Sequence, residues 1–260
     1  MALIEIEHAG KEYRSNDGGV FTALQDVNLE IERGEFICLL GPSGCGKSTL
    51  LNALAGFDLA TSGSIRIEGQ EVTGPKPEYV TIFQQYGLLP WRTVLDNVKL
   101  GLEGRSDITP EQADRTALEF LDMVGLADFR DAHPRELSGG MQQRVSIARG
   151  LAVDPEILFM DEPFGALDAI TRMKLQDDVL RIAKESGKTV IFVTHDIEEA
   201  VYLSDRIVVM TPNPGRVKQI VNVPMSWGFR DRTSGDFIEV RDKVFRIFHL
   251  KHEVEPEYVI

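Results

Sequence analysis

The chain has 260 residues, 43% of them hydrophobic and 27% charged, enough for one large core and an ordinary mix for a globular protein. Its 28 Lys and Arg stand against 41 Asp and Glu, for a net charge of −13 with no basic run, which argues against nucleic acid and against unaided adhesion to anionic lipid. No apolar run approaches the ~18 residues of a membrane span, MALIEIEHAG lacks the features of a signal peptide, and two cysteines make neither a disulfide framework nor a zinc site, so a reduced, cytoplasmic protein is expected.

In chain order, LIEIEHAG and LQDVNLEIE alternate as half-buried strands, with the polar, Gly-rich KEYRSNDGGVFT expected as a loop between them. EFICLL is apolar on both faces, as a buried parallel strand is. It runs into GPSGCGKST and then into LLNALAGF, a helix closed by glycine. SGSIRIEG reads as a short edge strand and YVTIFQ as another strand. From about residue 90 to 153, TVLDNVKLGL, PEQADRTALEFLDMVGL and GGMQQRVSIARGLAV space their apolar residues by three and four, as helices do. Strands return in EILFMDE, TVIFVTHD and DRIVVM, separated by helices over 169–186 and 197–203. This alternation predicts an α/β fold: a mainly parallel sheet with helices on both faces, interrupted by a helical insert. After residue 224, SGDFIEVRDKVFRIFHLK puts Phe237, Val240, Val244, Ile247 and Phe248 on one helical stripe, packed on the core or serving a partner. The expected division is therefore an α/β unit over 1–224, with the insert at about 90–153, and a helical tail over 225–260.

Gly41, Pro42, Ser43, Gly44, Cys45, Gly46, Lys47, Ser48 and Thr49 fit G-x-x-x-x-G-K-[ST], with a strand before and a helix after, as a phosphate loop requires. Glycines let successive amides turn inward onto phosphate oxygens, and the helix N-terminus adds positive charge. Lys47 can reach the β- and γ-phosphates, and Ser48 can ligate Mg²⁺. EILFMDEP ends an apolar strand in Asp161, suited to Mg²⁺, followed by Glu162, a carboxylate able to polarise a water. His195 and Gln84 end two further apolar strands, where ligands sit in open α/β sheets. Tyr13, in the loop after the first strand, is either an adenine platform or an ordinary surface tyrosine. Cys45 is either a redox-sensitive thiol at a helix N-terminus or simply a small residue in the loop.

Ser138, Gly139 and Gly140 open a helix ninety residues beyond Lys47 and make a second anion site, with Ser138 as N-cap. Two copies of the chain, each capping the nucleotide of the other, use both sites without folding the insert over the sheet. At this point LSGGMQQR (137–144), the phosphate loop, Gln84, ILFMDEP, GALD (165–168) and THD together resemble the ATP-binding subunit of an ABC transporter, over residues 3 to 220.

The resemblance implies a P-loop NTPase (RecA-like) core with an N-terminal antiparallel β subdomain and an inserted helical subdomain. It implies ATP and Mg²⁺ as cofactors, with Tyr13 on adenine and Lys47, Ser48 and Thr49 on phosphate and metal. Asp161 and Gln84 belong to the Mg²⁺ site, Gln84 also sensing the attacking water, with Glu162 as general base and His195 on the γ-phosphate. Ser138 and Gly140 reach the γ-phosphate across a dimer whose two sites Asp168 links. Partners implied are a second ATPase subunit (the same chain or a close paralogue), two transmembrane permease subunits, and indirectly an extracytoplasmic solute-binding protein. Leu88, Leu89, Pro90 and Trp91 form an apolar cluster that faces either the permease or the core. GLLPWRTVLDNV and NPGRV (213–217) resemble a subgroup importing nitrate, bicarbonate, taurine or alkyl sulfonates, at the cytoplasmic face of a bacterial membrane.

Overall fold

In the strand Phe36–Leu40 (β3) every residue is buried, but the side chains part into two cores. Phe36, Cys38 and Leu40 join one cluster, and Ile37 and Leu39 the other. Period-two alternation does this wherever both faces of a sheet are covered, which is why the sequence shows an unbroken apolar run rather than an alternating one. The computed structural model describes residues 2–14 and 18–249, apart from the side chain of Phe229.

β3 lies inside a six-stranded sheet ordered β10-β9-β3-β8-β7-β6. Its members are Tyr79–Ile82 (β6), Ile157–Asp161 (β7), Thr189–Thr194 (β8), Arg206–Thr211 (β9) and Arg216–Asn222 (β10). β6, β7, β8, β3 and β9 are parallel, and β10 returns antiparallel at the edge. A second, antiparallel sheet has the order β2-β1-β4-β5, from Ile4–Arg14 (β1), Val20–Ile31 (β2), Ser62–Ile67 (β4) and Gln70–Glu71 (β5).

One face of the parallel sheet packs on helix Lys47–Leu54 (α1), through Leu50, Leu51 and Leu54, and on the antiparallel sheet through Ile4, Ile6, Val27 and Ile65. The other face carries the remaining helices: Val94–Lys99 (α2), Pro110–Met123 (α3), Gly139–Ala152 (α4), Ala169–Glu185 (α5), Ile197–Leu203 (α6) and Gly235–His249 (α7). Helices do lie on both faces, but a single helix and a second sheet cover one of them. α2, α3 and α4 come between β6 and β7, and their buried Val98, Ala117, Leu121 and Ile147 are continuous with the core of the sheet.

The sequence expectations need four corrections. β1 and β2 extend into KEYR and VFT because cross-strand pairs continue to Tyr13↔Phe21 and Arg14↔Val20, so the expected loop shrinks, and residues 15–17 of it lie outside the described set. β4 is not an edge strand, since β1 flanks it on one side and β5 on the other. β6 stops at Ile82, leaving Gln84 beyond it. β10 carried too weak an alternation to be read as a strand.

The stripe on the last helix packs inward: Phe237, Val240, Val244 and Ile247 are buried and Phe248 partly so. The expected tail over 250–260 lies outside the described residues. Phe237 is fully buried, so Phe237→Ala should cost about 3 kcal/mol of unfolding free energy by loss of packing and a residual cavity. Urea unfolding of the full chain checks this, and a loss below about 1 kcal/mol would mean that α7 does not share the core.

Candidate functional site

The parallel register brings the chemistry to one edge. β3, β8, β7 and β6 are neighbours running the same way, so the residues after each strand emerge at the same end of the sheet. Leu40 pairs with Thr194 and Asp161 with Val193, so the ends of β3, β8 and β7 are level.

After β3 comes the loop 41–46, with Gly44 and Gly46 at φ 77° and 90°, the left-handed region that glycine occupies at little cost. Lys47 is buried, and its ammonium donates to the carbonyls of Gly41 at 2.7 Å and Pro42 at 3.0 Å, holding positive charge at the centre of the loop. Ser43, Gly44 and Ser48 are exposed. Cys45 is fully buried, and burial raises its thiol above the usual range, so it behaves as a small packing residue and not as a thiolate.

The Ser48 hydroxyl donates to Asp161 Oδ1 at 3.0 Å, joining the loop to the end of β7. Burial raises the Asp161 carboxyl, the Ser48 bond opposes this, and neighbouring Glu162 adds to it. A hydroxyl and a carboxylate touching beside a phosphate loop are the hard oxygen pair that Mg²⁺ uses when substrate and water supply its other ligands. Among the described residues there is no cluster of three or more His, Cys, Asp or Glu able to hold a metal by itself.

Glu162 follows with φ 45°, a left-handed conformation that costs a non-glycine residue energy and is common at functional sites. Its amide donates to Val193 O at 3.0 Å, fixing it against β8, and its Oε2 lies 3.2 Å from His195 Nδ1. The exposed His195 and the part-buried Glu162 thus form a pair beside Asp161. Gln84 sits two residues past β6, exposed, at the same end of the sheet.

Tyr13 is on β1, not in a loop. Its hydroxyl donates to Asp58 Oδ2 at 2.5 Å and also meets the side chain of Thr49, which ties the ring to the first turn of α1. Burial and then Asp58 raise its pKa, keeping the phenol neutral. Lys11 Nζ lies 5.2 Å from the ring centroid, and Tyr13 is 39% exposed, so an aromatic surface stands beside the phosphate loop.

Ser138 caps α4, accepting from Met141 N at 3.3 Å, with Gly139 and Gly140 in the first turn. Among the described residues no hydrogen bond joins them to the phosphate loop of their own chain. A Cβ on Gly139 would lie 2.8 Å from the Tyr86 hydroxyl, and one on Gly140 would lie 3.2 Å from Ala166 O. α4 runs along β6, where a Cβ on Gly150 would strike Ile82. β6 is three strands from β3, roughly 14 Å at the usual spacing. Asp168 caps α5, accepting from Thr171 N at 3.0 Å, and those bonds lower its pKa.

Two structural supports had no signal in the sequence. Arg149 donates to Gly87 O at 2.7 Å and Tyr86 O at 2.8 Å, holding the segment after Gln84. Asn97 is fully buried and bonds the backbone of Leu89, Arg92 and Thr93. The apolar cluster divides: Leu88 packs on the core, whereas Trp91 is 72% exposed. Phe57 and Phe83, also exposed, stack with ring centroids 5.5 Å apart.

Residues 24–165 match the family model described as "ABC transporter". The chain belongs to the ABC transporter family. An uncharacterized ABC transporter ATP-binding protein of Methanocaldococcus jannaschii is 51% identical over 96% of this chain and 92% of its own. The bicarbonate transport ATP-binding protein CmpD of Synechocystis is 47% identical over 86% of this chain and 80% of its own. The nitrate import ATP-binding protein NrtC of Synechococcus elongatus is 48% identical over 85% of this chain, which spans 34% of that longer protein. A dimeric post-hydrolysis structure of the ATP-binding cassette MJ0796, bound to ADP and Pi, superimposes with a TM-score of 0.78 at 35% identity, covering 86% of this chain and all of the other. This ABC protein is accordingly an ATPase with a P-loop NTPase core.

In this ABC ATPase the segment NPGRV buttresses the phosphate loop. Gly215 N donates to Ala23 O at 3.0 Å, and a Cβ there would lie 2.3 Å from the Cys45 carbonyl and 2.8 Å from that of Ala23. Gly215→Ala should therefore displace the loop and weaken ATP binding about tenfold, close to 1.4 kcal/mol. Titration with a non-hydrolysable ATP analogue checks it, with Gly74→Ala, whose Cβ meets open space, as the control. Unchanged affinity in the Gly215 variant would show that the loop is held by other contacts.

Proposed function

We propose that the chain is the ATP-hydrolysing subunit of an importer for a small oxyanion, nitrate or bicarbonate before taurine or an alkyl sulfonate. It would act as a pair on the cytoplasmic face of a bacterial membrane, with two transmembrane permease subunits and, indirectly, an extracytoplasmic solute-binding protein. The observation that supports the reading is the gathering of Ser48, Asp161, Glu162 and His195 at one sheet edge, while Gly139 and Gly140 of the Ser138 helix end neighbour Tyr86 and Ala166 in the same chain. The likeness to the bicarbonate and nitrate ATP-binding proteins supports the solute class. No described helix is long and apolar enough to cross a membrane.

Each residue then has a chemical task. Tyr13 stacks on adenine. The loop of Gly41, Pro42, Ser43, Gly44, Cys45 and Gly46 cradles the phosphates through those backbone N–H groups that turn inward, Pro42 having none to donate and shaping the turn instead, and Lys47 and Thr49 complete the hold. Ser48, Asp161 and Gln84 would hold Mg²⁺, which supplies charge neutralisation at the β- and γ-phosphate oxygens. Glu162, fixed by Val193 and His195, accepts the proton of the attacking water. His195 presents its other ring nitrogen to the γ-phosphate. Ser138, Gly139 and Gly140 of a second copy cap the same phosphate with a helix N-terminus, and Asp168 links the two sites. The exposed Trp91, Phe57 and Phe83 offer an aromatic surface to the permease. Residues 1–224 form the ATPase unit in this scheme, 90–153 its helical insert, and 225–260 an appended tail.

ATP bridging two acidic copies favours closure, and loss of the γ-phosphate removes the bridge. A near-complete switch requires about 5.5 kcal/mol of differential binding. Glu162→Gln should lower hydrolysis at least about a hundredfold, the range lost with a general base, while keeping ATP affinity. With ATP and Mg²⁺ the variant should elute as a dimer on gel filtration. A Glu162→Gln chain that stays monomeric with saturating ATP would contradict the paired site. The solute is read from uptake of labelled nitrate, bicarbonate, taurine and an alkyl sulfonate in a strain lacking the gene. Failure of the wild-type chain to restore any of them would remove the oxyanion assignment and leave the ATPase reading in place.

A further inference from the structure

A line of hydrogen bonds, buried at its centre and part-buried at its two ends, runs from the segment after the sheet to the strand end that carries His195. Arg232 Nη2 donates to Gln176 Oε1 at 2.6 Å, and its guanidinium lies 3.7 Å over the ring of Tyr202. Gln176, on α5 and 1% exposed, donates through Nε2 to Glu199 Oε1 at 3.0 Å. Glu199, on α6 and also buried, accepts through Oε2 from the Thr194 hydroxyl at 2.7 Å. The Thr194 oxygen in turn accepts from Asp196 N at 3.0 Å, so one hydroxyl spans the backbone on both sides of His195.

The order of donors is dictated by chemistry. Arginine only donates and an ionised carboxylate only accepts, so the Gln176 amide between them has a single workable orientation. Without Arg232 the amide is free to turn its oxygen toward Glu199, which places acceptor against acceptor. Glu199 would then lose a donor in a buried position, where an unsatisfied carboxylate is costly. An alternative partner stands close by: Arg172 Nε lies 3.9 Å from Glu199 Oε1 and has no hydrogen-bond partner of its own. A turn of Glu199 toward Arg172 would withdraw its other oxygen from Thr194. Arg172 also donates to Leu167 O at 3.0 Å, next to Asp168, so the shift would reach that loop as well.

We propose that Arg232 is a positioning residue for His195, acting through Gln176, Glu199 and Thr194. The segment after the sheet is then part of the hydrolytic apparatus rather than an inert appendage. Arg230 beside it, buried and donating to Tyr202 O at 2.6 Å, anchors that segment to α6 and so keeps Arg232 in reach. This inference rests on the reading of His195 as the γ-phosphate contact.

The test is steady-state ATPase kinetics of the full chain carrying Arg232→Ala, Gln176→Leu, both together, and His195→Ala. Arg232→Ala and Gln176→Leu should each lower kcat about tenfold, with KM for ATP within about twofold of wild type, because a misplaced histidine impairs the chemical step and leaves Tyr13 and the phosphate loop untouched. The double variant should be no slower than the slower single one, since both break the same line. Wild-type kcat in Arg232→Ala, or a double variant slowed by the product of the two single effects, would overturn the inference. A fully active His195→Ala chain would instead overturn the reading of His195 on which it rests.

Discussion

The level ending of β3, β8 and β7 is the constraint on which the rest of the site depends. Parallel pairing fixes Leu40 beside Thr194 and Asp161 beside Val193, so three separate stretches of sequence deliver their polar residues to one line. A slip of one residue in β7 would turn Asp161 to the other face of the sheet and bury Met160 wrongly. The apolar packing on both faces therefore sets the register, and the register sets the distance between Ser48 and Asp161 and between Glu162 and His195. The left-handed backbone at Glu162 adds to this: energy stored in one residue aims its carboxylate, and the amide bond to Val193 holds it there.

In the proposed reading the same geometry leaves the edge of one copy chemically incomplete. In the proposed site, backbone amides, Lys47 and the Ser48–Asp161 pair would face one side of a phosphate, and among the described residues no hydrogen bond joins the Ser138 helix end to them. α4 is committed to β6 at the far side of the sheet by Gly150, which lets the helix lie directly on Ile82. Moving Ser138 to its own phosphate loop would mean pulling a helix with buried Val145, Ile147 and Ala148 off the core. In the proposed pairing a second copy would meet the need at the cost of bringing two acidic chains together, which bound nucleotide and metal would offset. Under that proposal pairing would be conditional on ATP, which is what a mechanical cycle requires.

Much of the site was legible in the sequence because its residues sit where two local patterns meet. A strand-like run followed by Gly41 to Thr49, or ended by Asp161 or His195, carries both the element and the chemistry in a few letters. Distance between such stretches was not legible: that Ser48 touches Asp161 follows from strand order, and strand order from tertiary packing. Tyr13 was misplaced because Lys11, Glu12 and Arg14 are polar, yet they continue β1 through pairing with β2 across a half-exposed ribbon. β10 escaped because Lys218, Gln219 and Asn222 interrupt its apolar residues on an edge strand. The line through Arg232, Gln176 and Glu199 was invisible, since it joins a turn and two helices across 56 residues by side chains whose types are common on any surface.

The central claim, that each site is built from two copies, is tested most directly by mixing two inactive chains. Lys47→Ala destroys the phosphate loop and leaves Ser138, and Ser138→Arg does the reverse. If the site is shared between copies, a mixed pair contains one intact site, and the mixture recovers up to about a quarter of wild-type ATPase activity, because half the pairs are mixed and one of their two sites is whole. If Lys47 and Ser138 of the same chain act together, no pair contains an intact site, and a mixture as inactive as its components would contradict the account.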